Sequence, residues 1–375
     1  MSAATKLLVI APHYPEFLYG DSVRVRGKAE RPPTNITGEE GGGRPFNYAA
    51  YLAKDGIFYE MFNPRLELVA SGGGNSFKRA LFSVKRAYLE GLHGALPEPH
   101  TSLAGGITVG AKEALGGELL AMFRKVGIIH LVVLSGYNIT IVAETIGRVL
   151  AFLPRLFGLT FSAVSIVLFA VMTGAGATIV RASLMALLVL LARATGRVSE
   201  ITTALFAAAF LMLVHNPHIL AFDPSFELSF LATLGLLYAA PFFARFFKWL
   251  PVAWGIRETA TATLATQIFV LPALVYMMGQ FSLVAFLVNL LILPLMPLSM
   301  FFSFLAAATR FFPAVIGAPF AYVSWLLLEY TLKVSNFFAS LPFASVAVPV
   351  ISVWLLGGAY LILIAFLRFT KTKAP

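Results

Sequence analysis

From about residue 128 to about residue 370 the chain is almost unbroken apolar sequence, and this constrains the fold more than any motif does. A bilayer core requires ~20 apolar residues per crossing helix, because hydrocarbon offers no partner to a backbone N–H or C=O. Segments of this kind recur at 129–147, 159–173, 179–194, 201–215, 227–244, 261–278, 283–306, 314–331 and 348–367. The predicted fold class is a mostly α polytopic membrane protein of about nine transmembrane helices. Composition agrees, with 58% hydrophobic and 12% charged residues, against ~45–50% and ~25% in soluble domains. The chain has no cysteine, which excludes disulfides, thiolate metal sites and a cysteine nucleophile.

The formal net charge of +10 has two readings, a nucleic-acid partner or a topology signal. Position favours the second for the apolar region. Arg148 and Arg155 follow the first span, Arg193 and Arg197 the third, Arg245, Lys248 and Arg257 the fifth. Arg310 follows the seventh, and Arg368, Lys371 and Lys373 the ninth. The intervening loops 174–177, 215–226 and 279–282 hold no Lys or Arg. Basic loops stay cytoplasmic, so the C-terminus is expected inside the cytoplasmic membrane and the N-terminal region outside.

Residues 1–75 read as a water-facing module. KLLVIA, DSVRVRGKAE, GIFYEMF and NPRLELVA look like strands, punctuated by Gly20-Asp21 and Pro32-Pro33, with a short helix at FNYAAYLA. Short strands, glycine turns and one helix predict a small OB-like β-barrel. Residues 76–127 are expected to be a linker with amphipathic helices, Leu81, Val84 and Tyr88 sharing one face of the first. Residues 128–370 form the membrane domain.

Several polar residues stand where polar atoms are costly. HLVVLSGYNITIVAE brings His130, Ser135, Gly136, Asn138 and Glu144 into the first span, and Arg181 and Glu227 enter the third and fifth. A Ser-Gly pair is a place for a kink. Two readings stay open: these groups line a wet path through a broken helix, or they hold helices together by hydrogen bonding. Asp223 before Pro224 reads as a helix cap. Glu329 and Lys333 read as a local i, i+4 pair.

No pattern demands a metal or other cofactor, and no catalytic residue is assigned. His215 and His218 flank a proline, which spoils helical ligand spacing. No phosphate-binding GxxxxGK[ST] loop occurs, so the chain carries no nucleotide motor. Ser135 with His130 raises an intramembrane hydrolase, but a spacing of five takes them off one helical face. In the module, Arg24, Arg26 and Lys28 alternate along one strand, Arg31 and Arg44 follow, and Tyr48 opens an aromatic cluster. Cations tracking phosphates beside aromatic platforms suit single-stranded nucleic acid; a solvated strand face over a small core suits the same residues.

GIIHLVVLSGYNITIV resembles the signature stretch of the competence protein ComEC family. The order of blocks around it is similar too: GITVGAKEALGGELLAMFRKVG before it, then TGAGATIVRASLMALLVLLARATGR, DPSFELSFLATLGLLYAAP and GQFSLVAFLVNLLILPLMPL. GDSVRVRGKAERPP and FNYAAYLAKDGI resemble that family's extracellular OB-like module. The resemblance implies a channel that imports single-stranded DNA across the cytoplasmic membrane during natural transformation. His130, Ser135, Gly136, Asn138, Arg181 and Glu227 are then pathway candidates, and Glu144 joins them on the polar-residue argument. The implied partners are single-stranded DNA, the lipid bilayer, a separate DNA receptor, a separate nuclease and a cytoplasmic ATP-driven motor. Many relatives carry a C-terminal metallo-β-lactamase-like domain and helices ahead of the module, neither of which is present in these residues. A small-solute or ion transporter is the alternative from another class.

Overall fold

The computed structural model describes residues 6–12, 15–36, 45–132, 136–149, 152, 154–195, 201–349 and 351–371. The module comprises β1 (Lys6–Ile10), β2 (Ser22–Arg26), α1 (Tyr48–Ala53), β3 (Ile57–Phe62) and β4 (Arg65–Ala70). β1 pairs in parallel with β3, and β2 antiparallel with β4. A single bridge, Glu30 to Glu60, extends β3 on its other side. Among the described residues these strands form two two-stranded sheets and no closed barrel, so the small barrel expected from the sequence is not what is observed. Closure requires a continuous ladder, and Pro32 and Pro33, which lack an N–H, stand just past the Glu30 bridge.

Among the described residues there are seventeen α-helices, α1 and sixteen more. They begin with α2 (Ser76–Ala95), α3 (His100–Val109), α4 (Gly116–Lys125), α5 (Ile129–Val132) and α6 (Gly136–Val149). There follow α7 (Arg155–Met172), α8 (Ala177–Ala194), α9 (Ile201–His215), α10 (Ile219–Phe222), α11 (Pro224–Tyr238) and α12 (Ala240–Phe243). The last are α13 (Ile256–Met278), α14 (Ala285–Ile292), α15 (Met296–Ala308), α16 (Ala314–Ala339) and α17 (Val353–Lys371). A two-stranded antiparallel sheet, β5 (Gln280–Ser282) with β6 (Ser345–Ala347), joins the ends of α13 and α16.

Among the described residues three helical stretches, 253–278, 285–308 and 315–339, are long and apolar enough to cross a membrane, and four shorter ones at 156–172, 177–192, 201–215 and 353–368 are apolar. Large apolar side chains point outward on several of these helices, among them Leu156, Phe157, Phe206, Val315, Trp354 and Leu361. A soluble surface seldom carries such a belt, whereas a lipid-facing one is built of it. Proline sets the breaks: Pro294 and Pro297 separate α14 from α15, and Pro272 sits inside α13.

The main core lies among α2–α5 and α14–α16. α3 is buried at every position, so the stretch read as a linker contributes a central helix to the body. It ends at Gly110, whose φ of 69° is the left-handed cap that glycine adopts readily. On α2 the half-buried stripe runs Leu81, Lys85, Tyr88 and then buried Leu92, the i, i+4, i+7, i+11 spacing of one face. Val84, expected to share that face, is 60% exposed.

Candidate functional site

A second group of helices, α6, α8, α11 and α13, leaves open space between its members. The cavity there is about 3470 Å³. α8 lines it with Thr178, Arg181, Ala182, Met185, Ala186 and Val189, and α6 with Gly136, Thr140, Ala143 and Gly147. Both sets follow the three-and-four spacing of a single helical face. α13 lines it from Glu258 to Met278, nearly end to end. With 23 residues at ~1.5 Å each, α13 is ~34 Å long. A hydrocarbon core is ~30 Å thick.

The two ends differ in chemistry. Module residues Phe46 and Asn47, with Arg124 and Lys125 of α4, contribute to the wall at the end where α13 terminates. Arg148, Trp254 and Glu258 contribute at the other. Between them the wall is mostly apolar, with threonines, Ser229 and Gln267 and the titratable His130, Arg181 and Glu227. Thr263 is 5% exposed, and its hydroxyl oxygen has no partner. The same holds for Arg181 Nε and for the Asn289 carbonyl oxygen, both on wall residues. Buried polar atoms are rarely left this way in a dry seam.

Arg181 is 8% exposed. Its Nη1 donates to the Thr233 hydroxyl and lies 3.6 Å from the Met185 sulfur, and its guanidinium stands 5.8 Å from the Phe230 ring centre. It abuts Gly136 so closely that a Cβ there would sit 2.8 Å from Nη2. His130 and Glu227 also line the cavity. Asn138 does not. It is 2% exposed, and its amide donates to the carbonyls of Ile107 at 2.8 Å and Leu131 at 3.3 Å, binding α6 to α3 and α5. Ser135 lies outside the described residues, and the Glu144 side chain is likewise not described.

The module is fastened to this helical group by a buried ion pair. Lys54 Nζ lies 3.4 Å from Asp223, with side chains 8% and 6% exposed. Asn216 donates to the Lys54 carbonyl at 2.8 Å. Burial alone would lower the Lys54 pKa, but the Asp55 hydrogen bond and the charges of Asp223 and Asp55 outweigh it, leaving the pKa raised. Asp223 also caps α11 through Ser225 N. Neither Lys54 nor Asn216 stood out in the sequence, since a lone lysine in a short helix carries no pattern.

The module's basic strand is partly neutralised. Arg24 faces Glu67 at 3.8 Å and Lys28 holds Glu30 at 2.7 Å. Arg26 pairs in register with Arg65, setting two exposed cations side by side. Arg31 is exposed, and Arg44 lies outside the described residues. Tyr48 stacks on Tyr51 with ring centres 6.4 Å apart. None of the five described candidates is in the cavity wall; their neighbours Phe46 and Asn47 are.

A family model described as "Competence protein" matches residues 107–373, which takes in every helix from the end of α3 to α17. ComE operon protein 3 of Bacillus subtilis (strain 168) is 25% identical over 255 residues, covering 66% of this chain and 31% of that protein. The chain thus spans about a third of that relative's length. No solved structure matches. With the matched region extending over most of its length, the chain belongs to the competence protein family.

Proposed function

We propose that this chain is a conduit through which single-stranded DNA enters the cell across the cytoplasmic membrane during natural transformation. The observation that carries the reading is the cavity bordered by α13 from Glu258 to Met278, ~30 Å of helix, a length that matches a bilayer core. A path for a solute needs a site; a path for a polymer needs an extended wall, and α6, α8, α11 and α13 contribute to the lining of this one.

On this reading the nine apolar segments all cross the membrane, the basic loops lie inside, and the N-terminal module stands outside as a receiving platform. Arg26, Arg65 and the Tyr48–Tyr51 stack are the module's contacts for the strand. His130, Gly136, Arg181 and Glu227 belong to the wall, whereas Asn138 shapes it from behind. The chain performs no chemistry. A separate receptor delivers DNA, a separate nuclease removes one strand, and an ATP-driven motor inside supplies the pull.

Large side chains placed in the wall test the reading. Ala186→Trp on α8 and Ala262→Trp on α13 both project into the cavity. Reconstituted in vesicles, the wild type takes up a fluorescent single strand when pulled from within, and each variant reduces uptake at least ~10-fold, an effect of ~1.4 kcal/mol or more on the passage barrier. Undiminished uptake in both, with normal thermal stability, overturns the conduit.

A further inference from the structure

Of the four tryptophans, Trp254 alone borders the groove. It stands where α13 begins, at the end away from the module, and is 70% exposed. Its backbone is left-handed, with φ 60° and ψ 14°. Bulky residues are rarely found there, because the Cβ crowds the following carbonyl oxygen. Gly255 comes next at φ 67°, a value natural to glycine. The chain thus takes two left-handed steps in a row and gives the strained one to its largest side chain. Strain of this kind persists only where the surroundings over-determine it, and it clusters at functional sites.

The bracing is visible. Arg257, in the opening turn of α13, reaches back over the preceding loop. Its Nε donates to the Leu250 carbonyl at 3.0 Å, and its Nη2 donates to the carbonyls of Lys248 and Leu250, each at 2.7 Å. Gly255 N donates to the Val252 carbonyl at 3.1 Å and closes the turn around Trp254. Trp249, earlier in the same loop, supplies the comparison. It is 77% exposed, lies outside the wall and has no left-handed backbone. Anchoring at headgroup level is a common task for tryptophan, and Trp249 meets it without a strained corner. Charge gives this mouth little hold on a phosphate chain, since Arg148 and Glu258 both contribute to its wall. A fixed ring face holds a strand by another means, because every base has a π-face to stack on it.

We propose that Trp254 is a stacking platform at the groove mouth remote from the module, holding one nucleobase of the passing strand at a time against its indole face. The preference for a flat heterocycle follows from an exposed ring on a braced corner. That the heterocycle belongs to a DNA strand rests on the conduit reading. Stacking tolerates any sequence, which suits a path whose cargo has no fixed sequence.

The test uses the full chain in nanodiscs and two fluorescent strands of about twelve nucleotides, a length within the span of single-strand sites. One is oligothymidylate and the other is abasic throughout, and anisotropy is read across a salt series. W254G suits the left-handed backbone, so its thermal midpoint is expected to equal or exceed that of the wild type. Its affinity for oligothymidylate is expected to fall ~10-fold, the size of one lost base–aromatic stack. The slope of log K against log salt should not change, because no phosphate contact is removed. W254F keeps a smaller ring and should fall between the two. Binding of the abasic strand is expected to be the same in all three, and W249A should bind both strands as the wild type does. Equal affinity of wild type and W254G for oligothymidylate overturns the platform, as does a wild type that binds neither strand. An equal loss for both strands in W254G overturns the stack, and a loss in W249A as large as in W254G overturns it in favour of membrane anchoring. The conduit is scored separately by vesicle uptake: lost oligothymidylate binding in W254G beside a wild type that imports nothing sustains the platform and removes the conduit, whereas normal import beside unchanged W254G binding does the reverse.

Discussion

The two halves of the helical body treat polar side chains in opposite ways. Around α3, α15 and α16 most of them find each other, His100 Nδ1 being the exception: Ser303 and Ser324, both fully buried, share a hydrogen bond of 2.9 Å, and Tyr88 meets Thr108 at 3.0 Å. Here His100 lies 2.8 Å from Glu329, which also takes Lys333. Around α6, α8, α11 and α13 comparable groups face open space, and Arg181 and Thr263 retain atoms without partners. The same residue types serve as adhesive in one half and as lining in the other. What decides is whether the neighbouring helix is in contact or across a gap.

That contrast is open to direct attack. The largest effect is expected at Gly91, where a Cβ would meet the Ala307 carbonyl oxygen at 2.8 Å. Gly91→Val should cost more than ~3 kcal/mol in thermal or denaturant unfolding, the upper range for overpacking. Gly147, in the groove wall with nothing within 4 Å of its Cβ position, should accept valine within ~0.5 kcal/mol. Equal costs at the two glycines would erase the distinction between halves.

Next in size is the module's fastening. Lys54→Met leaves Asp223 buried without its cation and should cost ~3 kcal/mol, measured as earlier release of the module in limited proteolysis. The pH dependence has a definite sign. The folded pKa of Lys54 is raised above its ordinary 10.5, so its stabilisation is complete below that value and is lost as pH rises through the folded pKa. Proteolytic protection should therefore be flat across neutral pH and decline only in strong alkali.

Asn138→Leu comes third. It removes two bonds to buried carbonyls and should cost ~2 kcal/mol, with any loss of uptake tracking the loss of folded protein. Uptake that fails while unfolding is unchanged would move Asn138 into the groove. The smallest effect is the coupling between Ser303 and Ser324: a double-alanine cycle should return ~0.6 kcal/mol, typical of hydrogen bonds between membrane helices.

The sequence carried the helices well and their arrangement poorly. The expected segment 201–215 stops where α9 stops, at His215, because the apolar run gives way there to polar residues. The module's strands were also visible, but their pairing was not: β1 reaches β3 across some fifty residues, and no local pattern encodes that partner. In the site, Arg181, Glu227 and His130 stood out because a titratable group in an apolar run is conspicuous. Thr233 and Thr263 did not, since threonine is nearly neutral in such a helix and becomes a wall residue only when a neighbour stays away. Asn138 shows the limit most clearly. Its amide suits either role, and only the positions of the Ile107 and Leu131 carbonyls select one.

The length of α13 has an electrical consequence. On the conduit reading, a strand lying along ~34 Å of helix with phosphates no closer than the ~3.4 Å of a duplex strand places up to about ten negative charges between the two membrane faces, and fewer as the strand is drawn out. The wall offers few fixed cations against that number. Mobile cations must therefore accompany the strand as it enters, and the membrane voltage acts on a cargo whose effective charge is a fraction of its formal one.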